Sequence, residues 1–437
     1  MENRILFWSI SILLLGILVV WFVRFFGEMG TDYSRLRIAK WCLGKKEYVG
    51  ERFESKEILP VFGKAFLIRM AFYAFGVFIC TQFIAYYESL EGFTFQDFLE
   101  SWNRWDAQHY INLAKYGYQD YVENGKHLFL VFFPLYPWLL RVVHLVLGNW
   151  EVSCLVLSSF CFCVGSVYFY AVVKEEYGGE IARRAYYLLC FYPFSFFFGG
   201  MMTESLFFCL VAAGFFYIRR HNWFVAGVIG LFCSLCRVQG VLLLGVGMVE
   251  FFITYRPVEM IRQKRFKTFV QMFFTKGIWL FLTLIGNLIY LGINQAVEGD
   301  PFRFQYYQRE HWFHSTTYVS NCLGEIISYV KMGDPDMRLA IWLPELVLFV
   351  LAMGCILYAL RRHPLRYSAF LIVYTIVNYS ITFLISGARY MLLALPMFII
   401  LAECTKKHKW LYSLFLMVSL CLLGVYFRLY MAGGQVM

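Results

Sequence analysis

Apolar runs of about 16 to 24 residues recur along the whole chain, separated by short polar or basic stretches. Such runs match the roughly 20 residues that an α-helix needs to cross a bilayer core. The pattern predicts an all-α, polytopic membrane protein with about twelve transmembrane helices, read as one membrane-embedded domain over residues 1–437. Ile5 to Phe26 reads as a retained first span, too long for a signal-peptide core and with no small-residue cleavage site behind it. Arg35, Arg37, Lys40, Lys45, Lys46, Arg52 and Lys56 follow, mixed with acids, and read as a cytoplasmic loop that would place the N-terminus outside. Val61 to Tyr87 then delivers the chain to the outer face, where the first long polar segment, residues 88–126, begins.

Leu128 to Leu147 is long enough to span, but it carries Pro134 and Pro137 early and Arg141 and His144 late. If it spanned, Lys174, Arg183 and Arg184 would fall outside, against the positive-inside rule. Lying in the interface, it leaves them inside, and that reading is preferred. Val152 to Val173 crosses inward. Three segments then share one design, bounded by basic clusters: residues 185–218, 222–255 and 367–404. Each is too long for one helix and barely enough for two of about 16 to 18 residues, so each reads as a tight hairpin. Their tips carry Thr203-Glu204, Arg237-Val238-Gln239 and Ser386-Gly387-Ala388-Arg389-Tyr390, all on the side of the first polar segment. Gly277 to Ala296 crosses outward, an outer loop covers residues 297–339, Ala340 to Leu360 returns, and Trp410 to Tyr430 closes the chain.

The chain is 60% hydrophobic and only 16% charged, which strengthens the membrane reading. The net charge of +10 does not imply a nucleic-acid partner, because Lys and Arg fall in short clusters between apolar runs, where topology requires them. Most of the 13 cysteines lie inside apolar runs, and Cys233 and Cys236 read as packed thiols rather than a metal or redox pair. Cys42 and Cys322 fall in polar loops on opposite faces and are not expected to pair.

The stretch richest in chemistry is Ser101-Trp102-Asn103-Arg104-Trp105-Asp106-Ala107-Gln108-His109-Tyr110. Read as one helix, it sets Asp106 on a face with Trp102, His109, Tyr110 and Leu113. A carboxylate beside tryptophan at a membrane surface is either an interfacial ion-pair partner, with Arg104 nearest in sequence, or a proton acceptor in a partly dry pocket. Charge at membrane depth costs about 2.5–3.5 kcal/mol, so Glu204, Arg237 and Arg389 should face a cavity or one another. Pairing of Glu204 with Arg237 or Arg389 to hold the bundle is the structural alternative.

With Asp106 as base, the outer face thus offers Arg104, His109, Tyr110, Glu204, Arg237, Gln239, Arg303, Arg389 and Tyr390 as substrate-binding candidates. A pocket of arginines and tyrosines with one base suits group transfer from a phosphate-bearing donor. The guanidinium groups would hold the departing phosphate and the carboxylate would take the acceptor's proton. No metal or other cofactor is expected. Asp334-Pro335-Asp336 reads as a proline-fixed turn in an outer loop, and His311 and His314 have helical ligand spacing without a companion acid.

Arg104-Trp105-Asp106-Ala107 with Tyr110, Ala114 and Gly117-Tyr118, followed by Phe132-Phe133-Pro134-Leu135-Tyr136-Pro137, resembles the signature of the PIG-V-like mannosyltransferases. That family comprises GPI mannosyltransferase II and bacterial relatives. Tyr192-Pro193, Thr203-Glu204-Ser205-Leu206-Phe207, Arg237 with Gly240, and Arg389-Tyr390 with Pro396 follow in the family's order. The similarity covers about residues 62 to 405 and leaves residues 1–60, an extra span and its basic loop, without counterpart. The resemblance implies a membrane-embedded GT-C fold with interfacial helices in the first outer loop. It also implies a polyprenyl-phosphate mannose donor, a lipid-linked glycan acceptor and the first outer-loop acid, Asp106, as base. The loop at Gly299-Asp300-Pro301-Phe302 is closer to the bacterial members, so a bacterial cell membrane is preferred, with the ER membrane as the eukaryotic equivalent. A lipid-linked glycan flippase, a polymerase using a diphosphate-linked donor and a non-catalytic scaffold are the competing classes.

Overall fold

The computed structural model describes residues 2–33, 48–84 and 93–436. Arg35, Arg37, Lys40, Lys45 and Lys46 of the expected basic loop, and Cys42, lie outside the described residues. Among those described, seven helices are long and apolar enough to cross a membrane: Arg4–Glu28, Ser55–Phe83, Trp150–Tyr177, Val238–Arg262, Gly277–Glu298, Pro335–Arg362 and Lys409–Met431. The other apolar helices, Leu135–Leu147, Trp223–Cys236, Leu365–Asn378 and Leu395–Cys404, have only 10–17 residues. At about 1.5 Å per residue they fall short of the roughly 30 Å hydrocarbon core. Where the sequence pattern predicts about twelve spans, seven helices among the described residues have the length to cross.

Leu135–Leu147, expected to lie in the interface, is one of the short set, its 13 residues too few to cross the core. Pro134 precedes its first turn, and Gly148, in the left-handed region, closes it. Leu135, Tyr136 and Leu140 are buried, while Val142, Leu145 and Val146 lie open on the surface.

The three hairpins appear with unequal arms. Residues 222–255 form the expected pair, helices Trp223–Cys236 and Leu242–Tyr255 joined by the tight turn Val238–Val241. A Cβ at Gly240 would lie 2.2 Å from the Cys233 carbonyl carbon, so only glycine lets that turn close. The other two are broken rather than tight. Helix Gly179–Cys190 ends shortly before Pro193, and an irregular stretch containing the single turn Ser195–Gly199 leads into helix Glu204–Arg219. Likewise Leu365–Asn378 is followed by the short helix Gly387–Met391 and then by Leu395–Cys404, which has Pro396 in its first turn. Proline lacks the N–H that a continuing helix requires, so no continuous helix runs through either stretch.

These short helices run between two polar layers. Helix Glu204–Arg219 begins at one layer and ends at the other, about 22 Å away for its 16 residues. At the far end Arg219 pairs with Glu175 and Glu176, both at 2.9 Å, and Arg220 with Glu175 at 2.5 Å. Arg366, at the start of the Leu365–Asn378 helix, bridges Glu176 and Glu250, the latter at 2.8 Å. Between the layers the buried side chains of the Glu204–Arg219 helix are apolar or small.

The N-terminal helix Glu2–Glu28, which has no counterpart in the resemblance, packs against helices Val319–Met332, Leu343–Arg362 and Leu242–Tyr255. Trp21 donates its indole N–H to Ser368 Oγ at 3.2 Å. The fully buried Arg24 donates to the Leu360 carbonyl at 2.7 Å and pairs with Glu28 at 2.8 Å.

Candidate functional site

Asp106 does not lie within one continuous helix. Helix Phe95–Trp102 is capped by Thr94 and Asp97 in a reciprocal pair of side-chain to backbone bonds, and it stops at Asn103. Trp105 takes a left-handed conformation, φ 49°, and helix Ala107–Asp120 starts afresh behind Asp106. The expected sharing of a face by Trp102 and Asp106 is therefore corrected. Trp102 is fully buried, packed edge-on to Tyr73 and tilted against Tyr430, at centroid distances of 5.0 and 5.6 Å. His109 and Tyr110 remain in the first turn behind Asp106, donating their backbone N–H groups to its carbonyl at 3.0 and 3.2 Å. A left-handed non-glycine residue costs on the order of 1 kcal/mol, and Trp105 is held there by its ring packing on Tyr430 and Phe197. The Asp106 carboxylate makes no bond to its own helix and is left to face the hairpin tips.

It meets Arg389. Arg389 Nη1 donates to Asp106 Oδ2 at 3.2 Å, and Arg389 Nε donates to Glu204 Oε1 at 2.5 Å. Arg237 Nη2 donates to the same Glu204 oxygen, and its Nε donates to Thr203 Oγ1 at 2.7 Å. Four segments far apart in sequence thus supply one chain of charges: Asp106, Arg389, Glu204, Arg237. Exposure falls from 24% for the Asp106 side chain to 3% for Arg389 and 0% for Glu204, and rises again to 12% for Arg237. Phe197 lies under the Arg389 guanidinium at 5.1 Å, while Tyr390 and Phe207 flank Arg237 at 5.9 and 5.8 Å. Gln239 donates to Asn378 at 3.1 Å, joining the second tip to the third hairpin.

The structural alternative for Glu204 is what the geometry shows, and with both arginines rather than one. Glu204 is the internal counter-ion that holds Arg237 and Arg389 together. Tyr110 is buried beside this group, and loss of hydration holds its hydroxyl above the usual tyrosine range. His109 stacks on Phe129 at 4.4 Å and shares a hydrogen bond with the Tyr121 hydroxyl at 2.9 Å. Burial holds its imidazole below the ordinary value, an effect that the nearby Asp106 charge opposes.

Two candidates stand apart. Arg104 donates to the carbonyls of Ser101 and Met431, at 3.0 and 2.7 Å, and so ties the start of the site to the C-terminal helix. The ion-pair partner of Asp106 is Arg389, not the sequence-adjacent Arg104. Arg303 lies in a second cluster, 3.6 Å from Glu298, whose other oxygen contacts His127 at 2.8 Å and Tyr307 at 2.6 Å. That cluster pins the loop after Gly299 onto the segment before helix Leu135–Leu147.

Sequence reasoning missed Thr203 as a ligand of Arg237, Phe197 as the floor beneath Arg389, and Glu345. Glu345 carried a readable signal, an acid near the start of an apolar run. Phe197 carried none among its neighbouring phenylalanines. Among the described residues no group of three or more His, Cys, Asp or Glu could hold a metal ion. Asp334 instead caps its own turn, accepting from the backbone of Asp336 and Met337 at 2.7 and 3.3 Å. Cys233 and Cys236 are buried and free.

Beside this cluster, a cavity of about 780 Å³ opens between the Pro335–Arg362 and Lys409–Met431 helices, with Tyr192 and Phe194 in its wall. Its lining is mostly apolar. The Tyr192 hydroxyl donates to the Ala388 carbonyl at 2.9 Å, so the wall touches the residue before Arg389.

Helix lengths, composition and the two polar layers define an all-α polytopic membrane protein with a charged cluster at one end of its bundle. Compared with protein-family models, curated proteins and solved structures, the chain matches none of them.

Proposed function

We propose that the protein is a membrane-embedded glycosyltransferase of the GT-C type, similar to the PIG-V-like mannosyltransferases. On this reading it transfers a sugar, by resemblance mannose, from a polyprenyl-phosphate donor to a lipid-linked or cell-surface glycan on the outer face. The observation that carries the reading is the convergence of Asp106, Arg389, Glu204 and Arg237 from four separate segments onto one end of the bundle. An inverting displacement needs one base and a cationic cradle, and no protein nucleophile.

In that reaction the acceptor oxygen forms a bond to the sugar's anomeric carbon while the bond from that carbon to the donor phosphate oxygen breaks. The electron pair leaves on the phosphate, where Arg389 and Arg237 would stabilise it. The acceptor's proton passes to Asp106 and then to water. An incoming phosphate competes with Asp106 for Arg389. Its arrival would free the carboxylate at the moment a base is needed. The apolar cavity beside Tyr192 is suited to the donor's hydrocarbon chain. Between the two polar layers the Glu204–Arg219 helix buries only apolar or small side chains, which favours a surface-opening enzyme over a flippase, whose site would lie at mid-membrane and open to both faces.

The test compares wild type with Asp106→Asn in membranes supplied with polyprenyl-phosphate mannose and a native lipid extract. Transfer should fall by about 10²–10⁴-fold in the mutant. Equal transfer in both would remove Asp106 as base. Transfer only from a diphosphate-linked donor would make the protein a polymerase or ligase instead.

A further inference from the structure

Arg389 can serve this site only if its loop is held still, and the loop contains no long helix to hold it. Its backbone is gripped from outside. Glu345, fully buried near the start of the Leu343–Arg362 helix, accepts through Oε1 from the N–H of Gly387 at 2.6 Å and of Ala388 at 3.4 Å. Tyr192 donates to the Ala388 carbonyl at 2.9 Å and Tyr374 to the Tyr390 carbonyl at 2.8 Å. Glu345 is fixed in turn, since its own carbonyl accepts from the Tyr379 hydroxyl at 2.8 Å. The fit leaves no slack: a Cβ on Gly387 would lie 1.9 Å from Glu345 Oε2. An ionisable side chain buried within a membrane span is costly to insert and needs a reason. Packing alone supplies none, because an apolar residue would fill the same space.

We propose that Glu345 is the positioning residue of the site, an acid that never meets substrate and that sets the Arg389 loop by holding the two backbone N–H groups ahead of it. This role rests on the transferase reading only for its catalytic consequence. Its structural content stands separately. Bonds on both sides of Arg389 fix the direction in which its guanidinium leaves the backbone, and hence its reach to Asp106 and Glu204.

The experiment uses the full-length protein in lipid nanodiscs, with Glu345→Gln, Glu345→Leu and Gly387→Ala. Amide exchange is read in the peptide covering residues 386–391 and, as an internal control, in the peptide covering 238–241. Glu345→Leu and Gly387→Ala should raise exchange in the first peptide by about tenfold or more and leave the second unchanged, while Glu345→Gln, which keeps an acceptor oxygen, stays near wild type. In the transfer assay Glu345→Leu should lower kcat by about 10- to 100-fold with the acceptor KM unchanged, and Glu345→Gln should restore most of it. Unchanged exchange at 386–391 in both disruptive variants, or an equal rise in both peptides, would overturn the proposal. If Glu345→Leu does not fold, Gly387→Ala makes the same test from the loop side. If wild type transfers nothing from any polyprenyl donor, the transferase reading fails while the exchange result still decides the positioning role.

Discussion

Glu204 and Asp106 are both carboxylates on arginine, yet their surroundings give them opposite roles. Glu204 has no exposure and accepts from two guanidinium groups. Asp106 sits at the mouth, held by one. Removing one member of a buried ion pair strands the other charge, at a cost of about 3–5 kcal/mol. Glu204→Ala should therefore lower the thermal unfolding midpoint markedly, whereas Asp106→Asn should stay within about 1 kcal/mol of wild type, since Glu204 still pairs with Arg389. Unfolding in detergent micelles or nanodiscs reads both. A large loss in Asp106→Asn with little in Glu204→Ala would reverse the assignment of roles. His109 adds a pH signature near the mouth. Its folded-state value lies below the ordinary 6.5 because of burial. Its contribution to stability is therefore fully present above about pH 6.5 and is lost as the pH falls through the folded value. The slope of midpoint against pH on the acid side should flatten in His109→Gln, and an unchanged slope would remove His109 as its source.

At the level of elements, the chain's apolar runs announced helices but not their breaks. Pro134 and Pro137, with Arg141 and His144, lead to the expectation that Leu135–Leu147 is interfacial, because prolines at the start and polar side chains near the end suit a helix lying flat. Its 13 residues reach only about 20 Å. Spin labels at Val142, Leu145 and Val146, all open to the surroundings, should report one shallow depth. A steady change in depth along the three sites would mean that the segment spans. The break at Asn103–Asp106 was not legible. Nothing in Arg104-Trp105-Asp106 forbids a helix, and Trp105 adopts its left-handed backbone because Tyr430 and Phe197, distant in sequence, pack its ring. The uneven hairpins were half legible: Pro193 and Pro396 mark the interruptions, but how far each arm extends was settled by what it packs against.

Across the whole molecule, the short helices are strung between two charged layers, the cluster of Asp106, Arg389, Glu204 and Arg237 at one end and that of Glu175, Glu176, Arg219, Glu250 and Arg366 at the other. If the Arg219 and Arg366 end faces the cytoplasm, as the positive-inside rule expects from the clusters Arg219-Arg220 and Arg361-Arg362 there, Asn124→Cys and Arg262→Cys should react with a membrane-impermeant thiol reagent from opposite sides, with Asn124→Cys on the outside. Labelling of both from one side would dismantle the two-layer topology. The sequence by itself determined that the chain lives in a bilayer, that its backbone is helical, and that Asp106, Glu204, Arg237 and Arg389 would collect on one face. Apolar run length and the cost of charge in hydrocarbon act locally and leave few alternatives. Only the tertiary structure decided which carboxylate holds and which faces the mouth, that Arg104 and Arg303 belong elsewhere, and that Glu345 grips the Arg389 loop. Those outcomes depend on distances between segments up to more than three hundred residues apart, Arg104 and Met431 among them, and no local pattern encodes such distances.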